Sequence, residues 1–243
     1  MTALFISDLH LDAIRPAATA AFLSFLAGPA LGADRLYILG DLFEAWTGDD
    51  AAGTHERYII SALHRYTTSG RSGFFLRGNR DFLAGELFAR STGLTLLPDE
   101  SVIDLDGERI LLMHGDTLCT DDQAYQRYRR FVHRPLVQAL YLFMPRGIRS
   151  AIAAFARQRS TFANAGKAPD IMDVNAAAVT ATLRRHGVLC MIHGHTHRPA
   201  IHALTIDGVA ARRIVLGAWY EQGSVLAWGA GGPELTTLAF TAP

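Results

Sequence analysis

The chain has 243 residues, of which 49% are hydrophobic and 19% charged, and its 23 basic and 23 acidic side chains cancel to a formal net charge of zero. This composition excludes a disordered or fibrous chain, which would have fewer apolar residues or a short repeat. The length suits one large domain or a domain with an insert, and a chain of this size buries a core without disulfide bridges.

The cysteines and the first residues indicate a reducing compartment. Cys119 and Cys190 border apolar runs, so we expect them to be buried free thiols and not a bridged pair. The first twelve residues contain acidic side chains and no basic region, which argues against an export signal. No apolar stretch reaches the roughly 18 residues that a membrane span needs. We therefore expect a cytosolic chain.

Charge is distributed unevenly along the chain. Residues 120–167 contain eight arginines and the only lysine against two aspartates, a net charge of +7 that the rest of the chain balances. The same segment holds the apolar run Ala139–Met144. Positive charge beside large apolar side chains is typical of a surface that meets anionic lipid or an anionic amphiphile. A solvated basic face packed on a helical core explains the same composition.

Short apolar runs that end at polar residues or glycine predict five buried strands of a central sheet. These runs are Ala3–Ser7, Leu36–Leu39, Phe74–Leu76, Ile110–Met113 and Leu189–Ile192. Helical patterns lie between the earlier runs, at Ala17–Ala27, Thr54–Thr67 and Leu83–Arg90. This alternation predicts right-handed crossovers and an α/β core.

Hairpin signals appear in the second half of the chain. Asp106-Gly107 and Asp207-Gly208 each separate two apolar runs and predict two tight hairpins. The tail alternates two further short strands, over 224–228 and 235–240. Hairpins that follow α/β units indicate a second, mixed sheet packed on the first.

The stretch from Asp121 to about Ala165 has a helical pattern that Pro135 and Pro145 interrupt. It predicts a helical insert, or lid, that precedes a helix over Asp170–His186. We expect one domain, residues 1–243, that carries this insert at about 121–165.

Each predicted strand of the central sheet runs into Asp, Asn or His side chains at its C-terminal end. These side chains are Asp8, His10, Asp41, Asn79, His114, His195 and His197. Ligands bind at this edge of α/β sheets. A period of two puts Asp8 and His10 on one face of their strand, and likewise His195 and His197. Each motif alone has another explanation, a capped turn or a buried histidine, but five strand ends together predict a metal centre.

The number and type of these side chains predict the metal. Seven candidates are too many for one tetrahedral zinc, so we expect two cations with a bridging carboxylate. Carboxylate, amide and imidazole ligands without a thiolate favour Mn²⁺, with Fe or Zn as alternatives. Two such cations clamp the oxygens of an in-line displacement at phosphorus. The residues therefore predict metal-assisted hydrolysis of a phosphoester or phosphoanhydride.

These motifs resemble those of the calcineurin-like metallophosphoesterases, in the order that is typical of the family. They are Asp8-x-His10, Gly40-Asp41, Gly78-Asn79-Arg80-Asp81, His114 and Gly194-His195-x-His197. The resemblance implies a four-layer α/β/β/α sandwich. It also implies that Asp8, His10, Asp41 and His197 hold one metal. Asp41, Asn79, His114 and His195 would hold the other, with Asp41 as the bridge.

One position departs from the family pattern. Most members have Gly-Asn-His, whose histidine can protonate an alkoxide leaving group, whereas this chain has Arg80 there. Arginine stays charged and is no practical proton donor, but it clamps a phosphate through two hydrogen bonds. That exchange suits a leaving group that is itself a phosphate, whose second pKa is about 6. We therefore expect pyrophosphate cleavage.

Gly40–Trp46, Gly78–Leu83 and the helical insert resemble one branch of that family, which hydrolyses UDP-2,3-diacylglucosamine in lipid A biosynthesis. The resemblance implies cleavage to UMP and 2,3-diacylglucosamine 1-phosphate, with two Mn²⁺ per chain and water attacking the UMP phosphorus. It implies catalytic roles for Arg80, Asn79 and His195. The positions that match substrate contacts are Asn79, Arg80, Asp122, Ser160, Asn164, Lys167 and His195. Tyr125 and Arg157 are additional candidates.

The expected partners are the nucleotide-linked glycolipid and the anionic surface of the inner membrane, which the chain would join from the cytoplasmic side as a peripheral protein. We expect no nucleic-acid partner, because the basic charge lies in an apolar insert and not in a groove lined with aromatic side chains. No obligate protein partner is evident. A soluble nucleotide pyrophosphatase, phosphodiesterase or nuclease of the same fold is one alternative. A non-catalytic scaffold, which need not keep a metal centre, is the other.

Overall fold

The computed structural model describes residues 1–165 and 173–240, and the side chains of residues 160–165 lie outside the described part. The α-helices are α1 Pro16–Ala27, α2 Thr54–Thr68, α3 Glu86–Thr92, α4 Gln123–Val132, α5 Pro135–Phe143, α6 Arg146–Ala165 and α7 Ala176–His186. The strands of the first half are β1 Ala3–Ile6, β2 Arg35–Leu39, β3 Ser72–Leu76, β4 Thr95–Leu97, β5 Glu100–Leu105 and β6 Glu108–Met113. Those of the second half are β7 Cys190–His193, β8 Ala200–Ile206, β9 Val209–Val215, β10 Gln222–Gly229 and β11 Gly232–Ala239.

The strands form two sheets. The first has the order β11-β10-β1-β2-β3-β4, in which β1 to β4 run parallel and the C-terminal hairpin pairs antiparallel to β1. The second has the order β5-β6-β7-β9-β8, with both predicted Asp-Gly hairpins at its edges. The five predicted strands and a second, mixed sheet are therefore confirmed. The five strands do not form one central sheet, however, because the runs Ile110–Met113 and Leu189–Ile192 correspond to β6 and β7 of the second sheet.

Alternate residues along the strands belong to different hydrophobic cores, which places four layers in order. Phe5 of β1 and Leu112 of β6 lie in the core between the two sheets. The neighbour of Phe5, Ile6, lies in the core beneath α1, α2 and α3. The neighbour of Leu112, Leu111, packs with Leu183 of α7 on the outer face of the second sheet. The fold is thus the expected α/β/β/α sandwich.

Two predicted helix starts are wrong. α3 begins at Glu86 and not at Leu83, because residues 83–85 form a turn whose Gly85 N–H donates to the Asp49 carboxylate at 3.0 Å. α7 begins at Ala176, because the Asn175 side chain caps it by accepting two backbone hydrogen bonds, while residues 173–175 are not helical. Residues 170–172, where the helix was predicted to start, lie outside the described residues.

Helices α4, α5 and α6 make up the helical insert. Pro135 is the first residue of α5 and Pro145 directly precedes α6, so each proline stands where a helix begins. Several apolar side chains of α5 and α6 are exposed, and Phe143 is 92% exposed. Four of the eight arginines pair with carboxylates outside the segment: Arg129, Arg146, Arg149 and Arg157. Part of the positive charge therefore attaches the insert to the core.

Among the described residues, we find no helix whose length and apolar character would let it cross a membrane. Both cysteines are buried, and neither forms a disulfide within the described part of the chain, as the sequence predicts.

Candidate metal centre

The strand ends that the sequence singles out meet at one place. β1, β2 and β3 end side by side in the first sheet, and β6 and β7 end side by side in the second. Within the first sheet the loops are joined by the backbone, since His10 N–H donates to Asp41 O at 2.9 Å. Between the sheets, His114 Nδ1 lies 2.9 Å from Leu39 O. All seven candidate metal ligands lie in this region.

The candidate ligands have an unusual backbone. The φ angles of five of them lie between 48° and 68°, in the left-handed region: Asp8, His10, Asp41, His195 and His197. Among the other described residues, the only non-glycine ones with positive φ are Asp106 and Asp207, both in Asp-Gly turns. Such a conformation costs of order 1 kcal/mol or more per residue and persists where the surrounding structure imposes it, often at functional sites.

The left-handed backbone differs from the strand conformation that the sequence predicts for Asp8, His10, His195 and His197. We predicted that strand alternation puts Asp8 and His10 on one face, but β1 ends at Ile6 and both residues lie beyond it. Likewise β7 ends at His193, before His195 and His197. Left-handed turns, and not strand periodicity, bring these side chains together.

One half of the cluster is built around His10. Its Nε2 lies 3.3 Å from His197 Nε2 and 3.8 Å from Asp41 Oδ2. His197 Nε2 lies 3.2 Å from Asp8 Oδ1. The potential ligand atoms of Asp8, His10 and His197 all fall within 4.8 Å of one another.

The other half is built around His114. Its Nε2 lies 3.0 Å from Asn79 Oδ1, and His195 Nδ1 lies 2.9 Å from the same oxygen. Asp41 Oδ1 lies 3.7 Å from His114 Nε2, whereas its Oδ2 faces His10. Asp41 therefore stands between the halves, which is where a bridging carboxylate would lie. Asp8, Asp41 and His114 also form a group within 4.8 Å.

The electrostatics of the cluster favour positive charge at its centre. Burial lowers the pKa of His114, but the charges of Asp41 and Asp8 outweigh burial and raise that pKa to about 9. Burial alone would raise the pKa of Asp8, yet the His197 hydrogen bond and the nearby histidines hold it below its usual range. Burial and the charge of His114 lower the pKa of His195 to about 4, so its ring is neutral, as a metal ligand requires.

Two glycines and a buried aspartate hold the ligands in place. A Cβ on Gly78 would lie 2.2 Å from Asp41 Oδ1, and one on Gly194 would lie 2.2 Å from Asp8 Oδ2. Asp81 is fully buried and accepts hydrogen bonds from backbone N–H groups of both loops, that of Gly78 at 2.8 Å among them. The glycines of the Gly-Asn and His-Gly-His motifs are therefore required by close approach.

Glu44 is a site residue that the sequence reasoning missed. Its Oε2 lies 3.2 Å from His10 Nδ1 and 3.6 Å from Arg15 Nη2, and its Oε1 lies 3.9 Å from Arg80 Nη1. Burial alone would raise the pKa of Glu44, but the His10 hydrogen bond and both arginines lower it, so the side chain is anionic. The sequence signal that could have identified Glu44 is its position within the Gly40–Trp46 motif. The carboxylate connects His10 to Arg80 at the rim of the cluster.

Three of the candidate substrate contacts in the insert lie at its border with the metal cluster. Tyr125 stacks on His195 with ring centroids 6.0 Å apart, and Asp122 caps the same helix by accepting from Tyr125 N–H at 3.1 Å. Arg157 Nη1 lies 3.8 Å from Asp12 Oδ2 in the loop after β1.

The remaining substrate candidates are less defined. Ser160 and Asn164 belong to α6, but their side chains lie outside the described residues. Lys167 also lies outside them.

The residues present fit two divalent cations. Carboxylate oxygens, an amide oxygen and imidazole nitrogens converge with no thiolate among the described groups. This donor set suits Mn²⁺ and is compatible with Fe or Zn. The ionised carboxylates and the imposed left-handed backbone are what a preformed cation site requires.

Two packed sheets with such a cluster at their strand ends define a metallophosphoesterase. Residues 1–199 match the family model of the calcineurin-like phosphoesterases, so the chain belongs to that family. It is 53% identical to the UDP-2,3-diacylglucosamine hydrolase of Serratia proteamaculans strain 568 over 240 residues, 99% of this chain and 100% of that protein. At this identity and coverage, the chain belongs to the same branch of the family as that hydrolase.

Two further comparisons concern more distant proteins. The UDP-2,3-diacylglucosamine hydrolase of Yersinia pseudotuberculosis serotype O:1b is 50% identical over 240 residues, again 99% of this chain and 100% of that protein. Among solved structures, an archaeal phosphodiesterase aligns with 98% of this chain and 99% of its own, at 12% identity and a TM-score of 0.48.

Proposed function

We propose that this chain hydrolyses the pyrophosphate bond of UDP-2,3-diacylglucosamine to UMP and 2,3-diacylglucosamine 1-phosphate. One observation carries the substrate: the full-length identity of 53% to a hydrolase named for it. The site supports the reaction class, because its buried carboxylates and imidazoles are arranged for cations that bind phosphate oxygens.

Two Mn²⁺ ions are the cofactors we propose. Asp8, His10, Asp41 and His197 would hold one cation, and Asp41, Asn79, His114 and His195 the other. When bound, such a pair acts as a Lewis acid on the phosphate and supplies a nucleophile from water at neutral pH. In the proposed reaction, water attacks the uridylyl phosphorus in line. The bond from that phosphorus to the bridging oxygen breaks, and the water oxygen remains in UMP.

Arg80 is the proposed clamp on the substrate phosphates. Its guanidinium stays protonated, so it stabilises growing negative charge and transfers no proton. The leaving group is a phosphate monoester, whose second pKa of about 6 lets it depart without a strong acid. Glu44 supports this role, because its carboxylate lies within 4 Å of Arg80 and also contacts His10. Asn79 and His195 would contact the phosphate from the metal side.

The helical insert is the proposed site of the diacylglucosamine half. Asp122, Tyr125 and Arg157 stand at its border with the metal cluster, and Ser160, Asn164 and Lys167 are the remaining proposed contacts. The exposed apolar side chains of α5 and α6 support a peripheral contact with an anionic membrane on its cytoplasmic side. This contact would place the chain next to its lipid-linked substrate.

The decisive experiment is hydrolysis of UDP-2,3-diacylglucosamine by Mn²⁺-loaded protein in oxygen-18 water, with the products read by mass spectrometry. We expect the label in UMP. Label in the lipid phosphate would keep the substrate but contradict attack at the uridylyl phosphorus. Absence of turnover with metal bound would contradict the proposal and favour a soluble nucleotide pyrophosphate or phosphodiester as substrate.

A further inference from the structure

Two of the core carboxylates that pair with the helical insert, Asp116 and Asp50, accept hydrogen bonds from different parts of it. At the start of the insert, Asp116 accepts hydrogen bonds from Tyr125 Oη at 2.7 Å and Arg129 Nε at 2.5 Å. At the junction of α5 and α6, Asp50 pairs with Arg149. The first attachment adjoins the metal cluster through Tyr125, which stacks on His195. The second involves no candidate metal ligand, so it can be altered without touching the cluster.

Arg149 is an unusual residue for an insert with an otherwise exposed surface. It is 1% exposed. Its guanidinium donates two hydrogen bonds to the Asp50 carboxylate, from Nη1 to Oδ1 at 2.8 Å and from Nη2 to Oδ2 at 2.5 Å. Nη1 also donates to Thr47 O at 2.8 Å. On the insert side, Tyr141 Oη donates to Arg149 O at 2.9 Å and joins α5 to α6. A bidentate contact of this kind fixes the orientation of the arginine side chain relative to the carboxylate, as well as their distance.

The loop that contains Thr47 and Asp50, between β2 and α2, approaches the insert closely at a glycine. Gly48 has a φ of 122°, and a Cβ built on it would lie 2.5 Å from Arg149 Nη1 and 2.8 Å from Leu142 Cδ2. Both α5 and α6 therefore rest directly against a glycine backbone that no other residue could replace without displacing them.

The same loop is held firmly to the core and to Arg80. Trp46 N–H donates to Arg80 O at 3.0 Å. Asp49 accepts hydrogen bonds from Trp46 Nε1 at 3.0 Å and from the backbone N–H groups of Gly85 and Phe88 at 3.0 and 2.9 Å. The loop thus has fixed contacts of its own on the core side, which do not depend on Arg149.

We propose that the Arg149–Asp50 pair is a positioning device that holds α5 and α6 at a fixed place against the loop that contacts Arg80, and so aligns the lipid-linked half of the substrate with the metal centre. The inference rests on the proposed function and adds residues that do not touch the substrate. The loop keeps its Asp49 contacts and α4 keeps its Asp116 contacts, so loss of the pair loosens only the junction of α5 and α6. Binding of the lipid-linked half weakens, and the arrangement of Arg80 and the metal ligands is retained.

The test compares Asp50→Asn and Arg149→Lys with the wild-type protein, each as the full Mn²⁺-loaded chain. We expect KM for UDP-2,3-diacylglucosamine to rise about tenfold with kcat little changed. This result is expected when a substitution weakens binding of the substrate and of the transition state equally. Inhibition by 2,3-diacylglucosamine 1-phosphate should weaken by a similar factor, while inhibition by UMP stays the same. The matched control is Arg146→Ala, which removes an exposed arginine that contacts the same Asp50 at 3.2 Å, and its kinetics should match the wild type.

Three results of the kinetic comparison would overturn the inference. They are an unchanged KM in both variants, a joint loss of kcat and bound metal, or equal weakening of inhibition by UMP and by the lipid product. Hydrogen exchange separates this inference from the proposed function. If the wild type fails to hydrolyse the substrate, the proposed function fails. Faster hydrogen exchange confined to α5 and α6 in Asp50→Asn would still support the positioning role of the Arg149–Asp50 pair, and unchanged exchange there would overturn it.

Discussion

The Nε2 atoms of His10 and His197 lie only 3.3 Å apart, although their residues are 187 positions apart in the chain. His197 Nε2 is also 3.2 Å from Asp8 Oδ1. If all three atoms present lone pairs, they repel one another unless a proton or a cation lies among them. A divalent cation would use all three lone pairs as ligands. This convergence is the basis of the predictions on metal binding.

Asp41→Asn should abolish most metal binding. Asp41 presents Oδ2 to His10 and Oδ1 to His114, so it contributes a carboxylate oxygen to each half of the cluster. Asparagine tolerates the left-handed backbone at this position, with φ of 52°, and removes only the charge and one oxygen. We expect the metal content, measured by inductively coupled plasma mass spectrometry, to fall from about two ions per chain to one or fewer.

Asp106→Asn is the matched control for that experiment. Asp106 has the same left-handed φ of 53° but lies in a hairpin turn away from the cluster. Its variant should bind as much metal as the wild type. Equal metal content in Asp41→Asn and Asp106→Asn would contradict the assignment of Asp41 as a shared ligand.

Arg80→Ala should lower kcat by about 100-fold, the usual effect of removing one group that stabilises transition-state charge. Metal content should stay at the wild-type value, because a guanidinium offers five N–H donors and no lone pair for a cation. Arg80→Lys keeps the charge but loses the planar pair of donors, so it should recover only part of the rate. A loss of metal that parallels the loss of rate would contradict the role of a phosphate clamp.

The sequence predicted the buried strands because each carries a continuous apolar run, which a strand buried on both faces requires. The four-layer order came from the family resemblance and not from the strand pattern. The sequence predicted the seven candidate ligands because they follow those strands directly. It missed Glu44, whose partners His10 and Arg80 come from other loops of the sheet edge and become its neighbours only after folding. It also missed Asp116, whose partners Tyr125 and Arg129 lie 9 and 13 positions further along on α4. Strand periodicity also gave the wrong reason for the pairing of Asp8 with His10, because a left-handed turn has no periodic signature.

The composition also overstated the free positive charge of the insert. A count of residues cannot show that Arg129 and Arg149 are directed at core carboxylates. The pairing partners Asp116 and Asp50 precede the insert in the chain, one near it and one far from it. Long-range ion pairs of this kind depend on the packing of α4 and α6 and leave no local pattern.

Glu100→Gln should destabilise the protein at neutral pH but not in acid. Glu100 Oε2 lies 2.5 Å from His186 Nε2 and 2.7 Å from Arg185 Nη2, contacts that join β5 to the end of α7. Burial alone would raise the pKa of Glu100, but these two partners lower it below its ordinary value of 4.5. A carboxylate with a lowered folded pKa stabilises the fold above its unfolded pKa and loses that contribution as pH falls through the folded value.

We therefore expect Glu100→Gln to lower the free energy of unfolding by about 1 kcal/mol near pH 7, because the pair is partly exposed. The difference should shrink steadily below the ordinary pKa of 4.5. Urea unfolding of both proteins across this range measures it. A difference that is independent of pH would show that shape, and not charge, is what glutamine fails to reproduce.

Phe143→Ser should weaken binding to anionic lipid vesicles. Phe143 ends α5 and is 92% exposed, and Leu140 on the same helix is also exposed. Transfer of such a side chain into the headgroup and acyl boundary contributes about 2 kcal/mol at most, so the single substitution should lower the vesicle partition coefficient by about tenfold. Co-sedimentation with vesicles of mixed neutral and anionic phospholipid gives the coefficient. Val209→Ser, at an exposed hairpin of the second sheet, is the matched control and should bind as the wild type does. If both variants bind equally well, the apolar surface of the insert does not make the membrane contact, and its exposed side chains would serve only the lipid chains of the substrate.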